Sequence, residues 1–172
     1  MKKAAFRKVG TVLVTSTLLA SCSTLTSPFR DADPRWADYK SWTRLTDTHV
    51  STGNPTGFLG GVHQGLDGYR EVYVNDIGRD ALLGSAPYNL PAGTVVVKEQ
   101  FASKEDWEAG RKPGHTVSVK VAAGDTVSKD NWIWADSYKG TAGESAFCSG
   151  CHTIAAKSDF VFTTGDFQRS LD

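Results

Sequence analysis

The chain has 172 residues, 40% of them hydrophobic and 22% charged, with 19 basic side chains against 19 acidic ones and so no formal net charge. That is the length and balance of one globular domain, and it excludes a disordered, low-complexity chain. It also excludes a nucleic-acid partner, because no basic surface is left over to neutralise phosphates.

Residues 1–21 read as a signal peptide: Lys2, Lys3, Arg7 and Lys8 open it, and an apolar run continues from Val9 through Leu19. Thr11, Thr15, Ser16 and Thr17 interrupt that run, which is too short to span a bilayer. The ending, Leu19-Ala20-Ser21-Cys22, resembles the lipobox of bacterial lipoproteins and makes Cys22 the lipidated first residue of the mature chain. By the same resemblance Ser23, standing where retained lipoproteins carry aspartate, directs the chain to the outer membrane, facing the periplasm. Removing the leader leaves 15 basic against 19 acidic side chains, a net charge of −4. Residues 22–32 then form the lipidated cysteine and a tether of serine, threonine and proline, and residues 33–172 form the domain.

Asp33-Pro34 has the form of an N-cap followed by proline at the first helical position, and predicts a helix reaching about Leu45 with Trp36, Tyr39 and Trp42 on its buried face. Residues 46–68 are rich in glycine and predict a long loop, able to cover a cofactor or to lie on the surface. From Tyr69 the period changes to two. Arg70-Glu71-Val72-Tyr73-Val74-Asn75 and Thr94-Val95-Val96-Val97-Lys98-Glu99-Gln100-Phe101 read as strands, with a short helix over 77–83 between them. Alternation puts Lys98 on one face with Thr94, Val96 and Gln100, opposite Val95, Val97 and Glu99. Ser103 with Asp106 has the form of a capping box for a helical turn or two ending at Gly110. Residues 115–121 alternate almost without fault, 131–136 read as a fourth strand, and 160–163 as a fifth. Such β-branched runs with short connections predict a strand-dominated α+β fold: an antiparallel sheet, a few flanking helices and a C-terminal haem-binding segment.

That last segment is Cys148-Ser149-Gly150-Cys151-His152. On a helix both sulfurs and the imidazole leave from one face, at offsets 0, +3 and +4. This suits a covalently held haem c, in which two thioether bonds fix the porphyrin and the histidine is the axial ligand of the iron. A thioredoxin-like pair wants a parallel β-α-β context, and structural zinc wants a second pair of ligands; the flanks offer neither. A disulfide across the two intervening residues is the remaining alternative. With lipid on Cys22 and haem on Cys148 and Cys151, no thiol is left over, and export agrees with haem attachment outside the cytoplasm.

The only methionine, Met1, leaves with the leader, so His/Met ligation of a mature haem is excluded. A second histidine (His49, His63 or His115), a lysine or an empty sixth position remains, and each histidine fits an ordinary surface or hydrogen-bonded role as well. An open position means ligand chemistry rather than electron relay alone. Phe58, Tyr73, Phe101, Trp132 and Trp134 are available either to exclude water above the iron or to fill core.

Taken together, Tyr39-x-x-Trp42, Arg70 through Asn75, Gly93-Thr94-Val95-Val96-Val97-Lys98-Glu99, Asn131-Trp132, the haem motif and Lys157-Ser158-Asp159-Phe160-Val161-Phe162-Thr163 resemble the cytochrome P-460 family, which includes the cytochromes c′-beta. The resemblance implies a largely antiparallel β fold, often a homodimer, with one haem whose open distal side binds nitric oxide, hydroxylamine or a similar small nitrogen ligand. It also implies two states for Lys98, which is cross-linked to the porphyrin edge in P-460 members, whereas the c′-beta members lack that bond. Where hydroxylamine-oxidising members carry a distal carboxylate this chain has Thr116, and neither His115 nor Glu99 is a secure substitute, His115 falling on the face opposite Thr116. The expected function is therefore a haem protein binding nitric oxide. A hydroxylamine oxidoreductase passing electrons to a periplasmic acceptor and a simple electron carrier are the alternatives.

Overall fold

The protein is described by a computed structural model that covers residues 31–52, 68–111 and 113–172. The signal peptide, Cys22, most of the tether, Phe58 and His63 lie outside the described residues. The centre is an antiparallel sheet of β3 (Tyr69–Val74), β4 (Val95–Phe101), β5 (Gly114–Lys120) and β6 (Trp132–Ala135), in that order. Two short strands, β1 (Thr43–Arg44) and β2 (Ser51–Thr52), pair with opposite ends of β3 along its outer edge. Six antiparallel strands with short helices make a strand-dominated α+β fold, as the alternation of residues predicts.

Register sets which side chains meet. Val72, Lys98 and Thr116 stand opposite one another across β3, β4 and β5, and Val74, Val96, Ser118 and Trp134 form the next rung on the same face. That face carries a cluster of Val72, Val74, Val96, Trp132 and Trp134; the other carries Tyr73, Val95, Val97, Val117 and Val119. Both faces are covered, which is why Val95-Val96-Val97 runs apolar without a break. Covering each such side chain contributes about 1.5–3 kcal/mol.

Among the described residues four α-helices close the ends, each started by a side chain that accepts an N–H of its first turn. α1 (Asp76–Leu83) is capped by Asn75, α2 (Lys104–Glu108) by Ser103 as the sequence predicts, α3 (Ala146–His152) by Ser145, and α4 (Gly165–Arg169) by Thr164.

Three expectations are corrected. The helix expected from Pro34 to Leu45 is a run of turns, with a 3-10 helix at Tyr39–Ser41 and then β1. Its backbone bonds run Trp36 to Asp33, Tyr39 to Trp36 and Trp42 to Tyr39, a period of three, so the same spacing still buries Trp36 and Tyr39 under the second sheet face. Of the long loop expected over 46–68, Ser51–Thr52 forms β2, and residues 53–67 lie outside the described residues. The fifth strand expected at 160–163 is irregular: a 3-10 helix at Thr153–Ser158 leads into left-handed backbone at Asp159 and Phe160, which cannot enter a ladder.

Candidate functional site

Between the first sheet face and the C-terminal segment lies a cavity of about 830 Å³. That is within the size range of small-molecule and cofactor sites. Its floor is sheet, including Val72, Val96, Lys98, Thr116 and Trp134, and its far wall is α3 with residues 160–163 and Phe167.

The geometry of α3 decides what the cavity can hold. Ser145 Oγ accepts the Cys148 N–H at 3.2 Å and starts the helix one turn before Cys151. Cys148, Cys151 and His152 therefore share a face, and all three line the cavity. Both cysteines are thiols and half-buried; burial pushes the Cys151 thiol up from its ordinary pKa. His152 Nδ1 donates to the Phe160 carbonyl at 2.7 Å. A carbonyl only accepts, so Nδ1 carries the proton and Nε2 keeps its lone pair, the tautomer an axial ligand needs. Burial pushes the His152 pKa down to about 4, with the Lys98 charge adding to it against the Phe160 bond, so the ring is neutral at physiological pH. Trp134 and Phe162 bracket the ring, with centroids 4.4 and 5.0 Å away.

Lys98 enters from the sheet. Burial pushes its pKa down to about 7, helped by the Arg70 guanidinium and opposed by the two thiols. The depression favours the uncharged amine, which is the nucleophilic form. Arg70, buried on the same face, also lines the cavity, and burial lowers its pKa too.

His115 is not brought into this site. It lies on the opposite face, with Nε2 2.8 Å from Tyr39 Oη and 3.7 Å from Glu99 Oε1. Glu99, 1% exposed, also accepts from Tyr39 Oη at 2.5 Å and pairs with Lys40 at 2.5 Å. Burial alone would raise the Glu99 pKa, but the bonds from His115, Lys40 and Tyr39 outweigh it and hold the carboxylate at about 2. Tyr73 and Phe101 stand outside the cavity wall, whereas Trp132 and Trp134 belong to it. His49 pairs with Asp172 at 2.6 Å, away from the cavity.

The residues present fit a c-type haem. Two thiols and a neutral imidazole of fixed tautomer face one space walled mainly by apolar side chains. Among the described residues no group of three or more His, Cys, Asp or Glu side chains is placed to hold a bare metal ion. The only carboxylate among the described wall residues is Asp136, and Thr116 occupies the rung beside Lys98. The sequence leads one to expect that His152 donates its second ring N–H to a carbonyl or carboxylate, but it did not point to Arg70 or identify Phe160 as the residue whose carbonyl accepts. Alternation with Val72 could have found the first, but the second is backbone and leaves no trace in residue type.

The model of one protein family, described as Cytochrome P460, matches residues 36–163. That stretch takes in the whole sheet, α3 and the turn that holds His152. No curated protein matches the chain.

Proposed function

Because the chain belongs to the cytochrome P460 family and is on that ground a mono-haem cytochrome, we propose that it binds nitric oxide or a related small nitrogen ligand at the open side of one covalently attached haem c. When bound, the haem supplies an iron with a free coordination position for such a ligand. The reading is carried by α3, which presents two thiols and one imidazole to a single cavity.

In this account Cys148 Sγ and Cys151 Sγ would hold the porphyrin through thioether bonds and His152 Nε2 would hold the iron, with Nδ1 still bonded to Phe160. Trp134 and Phe162 hold the imidazole plane and exclude water from its flanks. Thr116 cannot remove a proton near neutral pH and Glu99 and His115 are on the other face, so ligand binding is the leading reading, while among the described wall residues the exposed Asp136 is the carboxylate that hydroxylamine oxidation would use. The oxidase alternative is favoured further by Lys98, which lines the same cavity as both thiols, where its amine can meet the porphyrin edge.

Export belongs to the same proposal. The basic and apolar leader ending in Cys22 supports lipid attachment at the outer membrane, with the domain in the periplasm and a periplasmic redox partner. Among the described residues no helix is long and apolar enough to cross a membrane. A homodimer is the assembly we propose by family resemblance. The test is the ferrous absorption spectrum of the mature protein with and without nitric oxide. A high-spin haem c spectrum that shifts with the gas supports the reading. A red-shifted Soret band before the gas is added marks the cross-linked oxidase, and a low-spin spectrum that ignores the gas marks an electron carrier.

A further inference from the structure

Asp159 and Phe160 both have left-handed backbone, with φ of 49° and 67°. Aspartate tolerates that region, but an aromatic residue there is a true outlier that persists only where its surroundings over-determine it. Here the surroundings converge on Asp159. Its Oδ1 takes the Lys120 ammonium at 2.6 Å, its Oδ2 takes the Leu90 N–H at 2.7 Å, and its carbonyl takes the Trp132 indole N–H at 3.0 Å. Lys120 is fixed in turn by the Asp130 carbonyl at 3.1 Å, and the side chains of the ion pair are only 9% and 11% exposed. The next carbonyl along, that of Phe160, is the one that accepts from His152 Nδ1. In an extended strand, the conformation the residue types suggest, successive carbonyls alternate in direction, and this one would be committed to a ladder.

We propose that the buried Lys120–Asp159 pair is a positioning device for the iron ligand. It holds the 159–160 turn in its left-handed form so that the Phe160 carbonyl meets His152 Nδ1, fixing the imidazole plane and raising the basicity of Nε2. Lys120 and Asp159 are thus positioning residues that act through Phe160. The proposal rests on the reading of His152 as the axial ligand.

The test compares the haem-loaded wild type with the double variant Lys120→Met/Asp159→Asn, in which both charges go together so that neither is left buried alone. Asp159→Asn alone, which keeps the side-chain shape, is the second variant, and Val97→Ala, a core change on the opposite face of the sheet, is the control for lost stability. A less basic imidazole stabilises ferric iron less. In both turn variants the iron–histidine stretching band should move to lower frequency, and the ferric-to-ferrous ratio at fixed potential should fall about tenfold, a rise of about 59 mV. Val97→Ala should leave both at wild-type values. Wild-type values in either folded, haem-loaded turn variant overturn the positioning role alone. A wild-type chain that takes up no haem overturns the reading beneath it, and the proposal with it.

Discussion

Replacing Glu99 by glutamine separates the two faces of the sheet by experiment. The carboxylate is held at about 2 against an ordinary 4.5, by bonds from His115, Lys40 and Tyr39 that overcome the cost of burial. At about 1.4 kcal/mol per tenfold change in the proton equilibrium, this contributes roughly 3 kcal/mol at neutral pH. Because the folded-state pKa is depressed, the contribution is complete above the unfolded value of 4.5 and is lost as pH falls toward 2. By the same relation about half of it, roughly 1.4 kcal/mol, survives at pH 3. Glu99→Gln should therefore lower stability by about 3 kcal/mol at pH 7 in urea titrations, and the gap to wild type should narrow between pH 5 and pH 3. The haem spectrum and its response to nitric oxide should not change, since Glu99 lies on the face away from the cavity. A pH-independent gap would refute the electrostatic reasoning. A changed ligand response would refute the separation of the faces and restore Glu99 and His115 as proton acceptors.

Further outcomes follow from the same geometry. Cys148→Ala should reduce haem incorporation and leave at most one thioether, read from the absorption of the haem under alkaline pyridine; an unchanged holoprotein yield with two thioethers would overturn the attachment site. Lys98→Arg should retain the nitric oxide response, and proteolysis of wild type should release a haem peptide containing 148–152 without β4, whereas a haem peptide that includes the Lys98 segment would identify the cross-linked oxidase. In Gly165→Ala the new methyl would run into the Leu83 backbone carbonyl, driving α4 from α1. A cost of about 1–3 kcal/mol is expected, seen as a lower Tm, and an unaltered Tm would mean that the two helices do not pack this closely.

The sheet was legible because its strands are half of an alternating pattern. Val72, Val74, Val96 and Ser118 fall on one face, and Val95, Val97, Val117 and Val119 on the other, as period two requires. The face shared by Cys148, Cys151 and His152 was legible because offsets of three and four coincide only on a helix, and α3 is one. Spacing alone failed at Trp36, Tyr39 and Trp42, where offsets of three fit a succession of 3-10 turns as well as an α-helix. It failed again at Phe160-Val161-Phe162-Thr163. There the alternation reflects burial, Val161 in the core and Phe162 against His152, while the backbone of Val161 bonds to Ser158. Both failures have one cause: periodicity reports which side chains are covered, not which backbone conformation covers them.

The most direct test of the central claim is the intact mass of the mature chain, produced in a host that attaches haem c and stripped of non-covalent haem in acid. The account predicts one haem retained on each chain, lost when Cys148 and Cys151 are replaced together. A wild-type mass without haem, from a host that loads other c-type cytochromes, would contradict it.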